Sequence, residues 1–377
     1  MKKILFILFA LILVAAILIP SLVRGATGNA TVSVTADIQF PSNLTFKISA
    51  QNATQINDIR LHYTVDRLKF AIVISEEVVS FTPSKNVSTQ YVMDMRQTGG
   101  FPPGSSLNYW VTVTDATGVV TETLPQKIAM NDQRYQWKSL QKGMITLYWY
   151  NGNAAFGQQL MDAAQQGLSR VSQNSGAELN KPVSLYIYKD SNDLQGALIF
   201  AQDWTGGVAF TEYGIIAIGI GTSDAELQWG KGAIAHELTH LVVHQVTFNP
   251  YNGIPPWLDE GLAMNSEGPL DTQFTVPLSG AVASNTLISV RSLSSPFSAY
   301  ADQAVLAYAE SYSIVHYLIT TYGQEKMFDL LTAFKNGSGY DEALKAVYGF
   351  DMASLNTQWQ AAAKATTALN PALSSTL

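Results

Sequence analysis

The 377-residue chain contains no cysteine. That absence excludes disulfides, thiolate catalysis, iron–sulfur clusters and cysteine-ligated zinc, so any metal must be held by His, Asp and Glu. Charge is also scarce: 14% of residues are Asp, Glu, Lys or Arg, against about 25% in an average globular domain. Together with 47% hydrophobic residues, this argues against a disordered chain. Basic residues are few and unclustered, 22 Lys and Arg against 29 Asp and Glu, for a net charge of −7. Nucleic acid is therefore not expected as a partner, because affinity for it comes mostly from neutralising phosphates. Histidines number only five, and their placement decides what metal chemistry is open. The length predicts two domains plus any processing segment.

One long apolar run is present. Lys2 and Lys3 precede Ile4–Ile19, and Pro20 stops the run. A charged start followed by such a stretch reads as an export signal. As a helix the run spans roughly 24 Å, short of the ~30 Å bilayer core, yet it exceeds the usual signal core of about 7–15 residues. Residues 1–26 are thus read as either a cleaved signal peptide or an N-terminal membrane anchor through residues 4–19. Both readings predict an extracytoplasmic protein, secreted or membrane-anchored, with the Lys pair inside.

Residues 27–128 read as short strands broken by turns. Thr31–Phe40, Leu44–Ala50, Ile59–Val65, Phe70–Ile74, Val78–Phe81, Gln90–Met95, Asn108–Thr114 and Val119–Leu124 are rich in β-branched or aromatic residues. Turn signals at Pro41-Ser42-Asn43, at Pro83-Ser84-Lys85-Asn86 and at Pro102-Pro103-Gly104 separate them, and the spacing predicts an all-β sandwich. The stretch from Pro102 to Asp115 resembles the loop and late strand of immunoglobulin-like or fibronectin-type modules. Residues 129–142 form a polar linker. Residues 143–367 then alternate strands (Ile145–Tyr150, Val183–Tyr188, and Val208–Ile220 interrupted at Tyr213-Gly214) with helical spacing. The predicted helices are Ala154–Ser172, Ala225–Thr247, Pro256–Ser266, Ala304–Tyr322, Gln324–Phe334, Asp341–Val347 and Asp351–Thr366. A small sheet followed by a run of helices is an α+β organisation. Residues 368–377 are read as a flexible tail.

The segment His236-Glu237-Leu238-Thr239-His240 is an H-E-x-x-H motif inside a helical pattern. About two chains in a thousand of this composition would carry it by chance. Four residues apart, the two imidazoles sit one turn apart on one face and can reach a single ion. Glu237 lies beside them, able to hold an attacking water without being a ligand. Flanking Ile234, Ala235, Leu238, Leu241 and Val242 predict a buried helix. His244 lies about 12 Å along the same helix from His236, too far to share an ion bound through ~2.1 Å bonds. It is read as a structural histidine near the helix C-terminus, where positive charge is favoured. His62 and His316 are read as structural too.

A catalytic zinc needs a third protein ligand and one open position. Downstream lies Pro255-Pro256-Trp257-Leu258-Asp259-Glu260-Gly261-Leu262-Ala263. Here the sequence resembles the gluzincin metallopeptidases, which share a peptidase MA-like domain and follow H-E-x-x-H with a second helix beginning W-L-x-E-G-[FL]-A. The resemblance implies Zn²⁺ held by His236, His240 and Glu260, with Asp259 a neighbour rather than a ligand. Glu267, seven residues beyond Glu260 on the same helix face, is either a group supporting the ligands or an ordinary solvated carboxylate. The run from Tyr308 to Leu318, containing Tyr308-Ala309-Glu310-Ser311, looks like the Y-x-x-[GS] helix of the aminopeptidase N-like branch. That match implies an oxyanion-stabilising hydroxyl at Tyr308, or at Tyr312 if the register slips one turn. Gly206 to Gly214 stands where the family presents an edge strand to substrate. The aminopeptidase motif G-x-M-E-N is absent there, and Glu212 is the only nearby carboxylate.

These readings combine into an extracytoplasmic zinc-dependent metallopeptidase, with Glu237 as general base toward a zinc-activated water and peptides or proteins as substrates. The alternative is a non-catalytic binding or scaffold protein with an inert MA-like domain and recognition through the β-sandwich. A zinc hydrolase acting on something other than peptide is also open. Oligomeric state is not legible.

Overall fold

The computed structural model describes residues 30–202, 205–298 and 300–369. The leader reading on residues 1–26 therefore lies outside the described residues. Among those described, no helix is long and apolar enough to cross a membrane.

The N-terminal region is β-rich and the C-terminal part mostly helical. Strands β1 (Thr31–Gln39), β2 (Asn43–Val65), β3 (Ser75–Val78), β4 (Ser84–Asp94), β5 (Ser106–Asp115), β6 (Val120–Glu122) and β7 (Gln126–Ala129) form one antiparallel sheet. One helical turn, α1 (Met95–Thr98), follows β4. The stretches 44–50 and 59–65, expected as separate strands, are one 23-residue strand. Asn52-Ala53-Thr54 does not turn the chain: Asn52 and Thr54 both donate to Asp115 Oδ2, at 3.0 and 2.7 Å. Register instead slips between Gln51 and Ile56, as a β-bulge does when it bends a strand. The first half of β2 pairs with β1 and β4, the second with β3 and β5. Phe46 from the first half meets Tyr109 of β5 edge-on at 5.0 Å. The bent sheet thus packs on itself as a sandwich.

Two further expectations change. Phe70–Ile74 is not a strand; pairing resumes only at Ser75. After Val65 the chain leaves the sheet for the second domain, where the Leu68 N–H donates to the Glu212 carbonyl at 2.7 Å. The 129–142 segment is not merely a connector either. It supplies β8 (Lys138–Lys142), whose backbone pairs with β9 (Ile145–Trp149) despite polar side chains.

The second sheet adds β10 (Val183–Tyr188), β11 (Gly207–Phe210) and β12 (Ile215–Gly219), in the order β11-β12-β10-β9-β8. Period-two alternation gives it two apolar faces. Leu147, Leu185, Ile187, Ile216 and Ile218 face the main helical core, while Tyr148, Tyr186, Tyr188 and Ala217 face an aromatic cluster that also receives Phe40 of the first domain. The helices are α2 (Ala154–Ser175), α3 (Ser191–Gln195), α4 (Asp224–Thr247), α5 (Pro256–Glu267), α6 (Thr272–Ser284), α7 (Ala301–Tyr322), α8 (Gln324–Lys335), α9 (Tyr340–Tyr348) and α10 (Met352–Leu369). α10 takes in the first two residues of the expected tail, and 370–377 lie outside the described residues.

Candidate metal centre

Helix α4 begins with a capping box: the Ser223 hydroxyl accepts from the Glu226 N–H, and the Glu226 carboxylate accepts from the Ser223 N–H. Capping satisfies amides that would otherwise be orphaned. Ile234, Leu238, Leu241 and Val242 are fully buried, each contributing about 1.5–3 kcal/mol relative to exposure. That burial fixes the rotation of the helix and leaves His236, Glu237 and His240 on the wall of a cleft of about 840 Å³. Helix α5 starts with Pro256 in its first turn, where a missing N–H costs nothing. It lies close to α7: a Cβ at Gly261 would overlap the Ser311 carbonyl oxygen. The glycine of the W-L-x-E-G segment is thus a packing requirement that lets Glu260 face α4.

Three side chains converge. His236 Nε2 lies 3.3 Å and His240 Nε2 3.7 Å from Glu260 Oε2. The opposite ring nitrogens are turned away: His236 Nδ1 meets Glu267 Oε1 at 2.8 Å, and His240 Nδ1 meets Asp259 Oδ1 at 2.9 Å. An ionised carboxylate only accepts, so each Nδ1 donates and each neutral ring presents an Nε2 lone pair toward Glu260. Glu260 Oε2 is buried with no hydrogen-bond partner. Two lone pairs and an orphaned carboxylate oxygen face one another, an arrangement that only a positive charge satisfies. A zinc ion fits this donor set, two neutral imidazoles and one carboxylate with carboxylates behind the imidazoles. The same three residues form a group able to hold one ion, and His240, His244 and Asp259 form a second. In that second group His244 Nε2 already bonds Asp259 Oδ2 at 2.8 Å, so one carboxylate ties down both later histidines of the helix.

The electrostatics point the same way. Burial opposes charging of both imidazoles, but the carboxylates outweigh it. The nearby Glu260 and Glu267 carboxylates hold the His236 pKa well above the usual range, and Asp259 with Glu260 raises His240 to about 9. Burial alone would raise Asp259, yet His240 and His244 push it far below the usual carboxylate range. Protons thus supply the positive charge when no ion does, and an ion must expel them. Zinc affinity should therefore rise with pH between 6 and 9, by as much as roughly tenfold per unit for each proton released, because fewer protons compete. Calorimetric titration across that range measures it.

Asp259→Ala should leave His240 and His244 without their shared acceptor. Loss of such a supporting carboxylate typically weakens metal affinity about 10–100-fold; competition with a fluorescent zinc chelator reads the change.

Glu237 shares the cleft, and burial raises its pKa. Opposite it stands β11, the edge strand of the second sheet. A Cβ at Gly207 would come within 2.9 Å of Glu237 Oε1, so a glycine there is what leaves the carboxylate its room. Tyr308 of α7 also lines the cleft, its ring edge-on to Phe297 at 5.4 Å. Burial, with Glu260, Glu237 and Asp259 nearby, raises its pKa and keeps the hydroxyl a donor. Tyr312 stacks on His316 at 5.5 Å and does not line the cleft. Glu212 is half-exposed on the turn after β11 and paired with Arg67 at 2.8 Å. His62 meets Thr112 Oγ1 at 2.9 Å in the β-domain, and His316 faces Asn265 Oδ1 at 3.3 Å. Sequence reasoning missed Gln273 and Phe274, cleft residues of α6. The cap at Asp271, whose side chain accepts from the Gln273 N–H, is the local signal that could have found that helix.

Residues 163–365 match the family described as the Peptidase MA superfamily. No curated protein sequence matches the chain. Among solved structures, an M1 zinc metallopeptidase from Deinococcus radiodurans is similar at 13% identity, covering 89% of this chain and 94% of that one, with a TM-score of 0.38. An aminopeptidase N family protein from Idiomarina loihiensis is similar at 10% identity, covering 86% and 75%, with a TM-score of 0.41.

Proposed function

Because the chain belongs to the peptidase MA superfamily, we propose that it is an extracytoplasmic zinc-dependent peptidase that cuts peptide bonds in its α4–α5 cleft. One observation carries the reading: the buried, unpartnered Glu260 Oε2 facing the Nε2 atoms of His236 and His240. These three residues would hold the zinc. When bound, zinc supplies Lewis acidity, bringing the pKa of water toward neutrality and polarising a carbonyl. Asp259 and Glu267 orient the imidazoles. Glu237 takes the proton of the attacking water; its raised pKa makes it a competent acceptor and then a donor to the departing amine. The edge of β11 offers main-chain groups that align an extended peptide. Tyr308 donates its O–H to the oxyanion as the carbonyl becomes tetrahedral. The extracytoplasmic assignment rests on the Lys2-Lys3 start and the Ile4–Ile19 run.

Tyr308→Phe should lower kcat about 10²–10³-fold with KM little changed, since the hydroxyl acts on charge present only in the transition state. Steady-state kinetics on any cleaved peptide checks this, and an unchanged kcat removes Tyr308 from the mechanism. The proposal as a whole is tested by digesting a peptide library with and without a chelator. Cleavage that stops with chelator and returns with zinc is expected; chelator-insensitive cleavage, or none from zinc-loaded protein, would contradict it.

A further inference from the structure

Beyond His244 the cleft opens into a second cavity of about 500 Å³. Thr211 and His244 line both spaces, so the two are adjacent. The far wall is built by both domains: Leu68 and Phe70 come from the β-domain, Phe248 and Ile254 from the segment after α4. Phe70 and Phe248 stack face to face at 4.0 Å. The β-domain segment is pinned on its inner side, where Arg67 pairs with Glu212 and the Leu68 N–H donates to the Glu212 carbonyl. The opposite rim is pinned as well. Asn249 Oδ1 accepts from the Tyr251 and Asn252 N–H groups, while its amide donates to the Phe334 carbonyl. Although the cavity is preformed, Phe70 and Tyr251 on its wall stay exposed, as do Ile72, Val73 and Ile74 next to Phe70 in the chain, an apolar patch of the kind that marks a binding groove.

We propose that this cavity is a substrate subsite, rested on the peptidase reading above, that receives an apolar side chain two or three residues before the bond cut. The direction follows from β11. Its Gly207 end lies against Glu237, and Thr211, just past its other end, lies at His244 and the cavity. An extended peptide pairing antiparallel with β11, the more stable pairing per residue, runs from the Thr211 end toward Glu237. Residues preceding the scissile bond therefore occupy the cavity end. The distance agrees: His244 is one helical turn, roughly 6 Å, beyond His240, which an extended chain covers in about two residues. The β-domain is thereby part of the substrate site, and Leu68 and Phe70 are specificity-determining residues.

The test uses the full chain, zinc-loaded, on a library of unstructured peptides, comparing wild type with Phe70→Asp. Wild type should favour Leu, Ile, Phe or Met two or three positions before the cut. In Phe70→Asp that preference should vanish. The ratio of kcat/KM for peptides that reach the cavity to that for peptides beginning at the residue before the cut should fall about tenfold or more, the usual worth of one apolar contact. Zinc content and thermal midpoint, measured on the same samples, separate this from misfolding; if the variant loses zinc or melts early, Phe70→Ser replaces it. An apolar preference absent from wild type, retained in the variant, or found only after the cut would overturn the subsite while leaving the peptidase reading intact. No cleavage by zinc-loaded wild type would overturn both.

Discussion

Glu237→Gln should bind zinc as wild type does and lose peptide hydrolysis by about 10²–10⁴-fold, the usual worth of a positioned general base. The substitution keeps size and polarity beside Gly207, where the room around Glu237 Oε1 is already set by the missing Cβ. It removes only the ability to take a proton. The imidazoles and Glu260 Oε2 converge without any help from Glu237, so metal content should not change. Metal analysis and single-turnover kinetics on the same preparation separate the two properties. Loss of zinc together with activity would show that Glu237 shapes the metal site rather than the proton transfer.

The second large effect is on binding. Glu260→Gln replaces the anionic donor by a neutral amide in a site whose other two proposed ligands are imidazoles. The carboxylate that now draws a positive charge into the site would be gone. Zinc should no longer survive dialysis at neutral pH, and hydrolysis should fall to background. Stability should not collapse, because Glu260 Oε2 makes no hydrogen bond that the fold would lose. Circular dichroism alongside metal analysis checks both halves. A Glu260→Gln protein that keeps one zinc per chain would move the third ligand elsewhere, with Asp259 and Glu267 the carboxylates within reach of the histidines.

The parts of this site that could be read in the sequence are those encoded locally. Four-residue spacing puts His236 and His240 on one helical face wherever that helix sits, and the segment from Trp257 to Ala263 carries Glu260, the proposed third ligand, in a helix start. Asp259 could be read only as a neighbour. Its grip on two histidines depends on how α4 and α5 cross, which no local pattern contains. The same holds for the glycines: that Gly207 must clear Glu237 and Gly261 must clear Ser311 follows from contacts between distant segments.

The fold shows the same division. Apart from α3 and α6, the helices of the second domain carry apolar periodicity and are legible to within a few residues. Strand β8, Lys138-Ser139-Leu140-Gln141-Lys142, has one apolar residue and exists because β9 offers a backbone to pair with. Helix α6 contains Pro277 and a run of small residues, so its propensity hides it. Phe70–Ile74 has the composition of a strand, but its environment is the other domain and solvent. Composition reports what a segment tolerates, and partners decide what it becomes.

On the proposed reading, His236, His240 and Glu260 form a site built around a cation and hold zinc. The most direct measurement is the metal content of the purified full-length protein, by plasma mass spectrometry after exhaustive dialysis against metal-free buffer at pH 8 and one equivalent of zinc. One tightly held zinc per chain, lost in Glu260→Gln, is the predicted result. A wild-type chain that retains no zinc under those conditions would rule out a zinc site at these three residues.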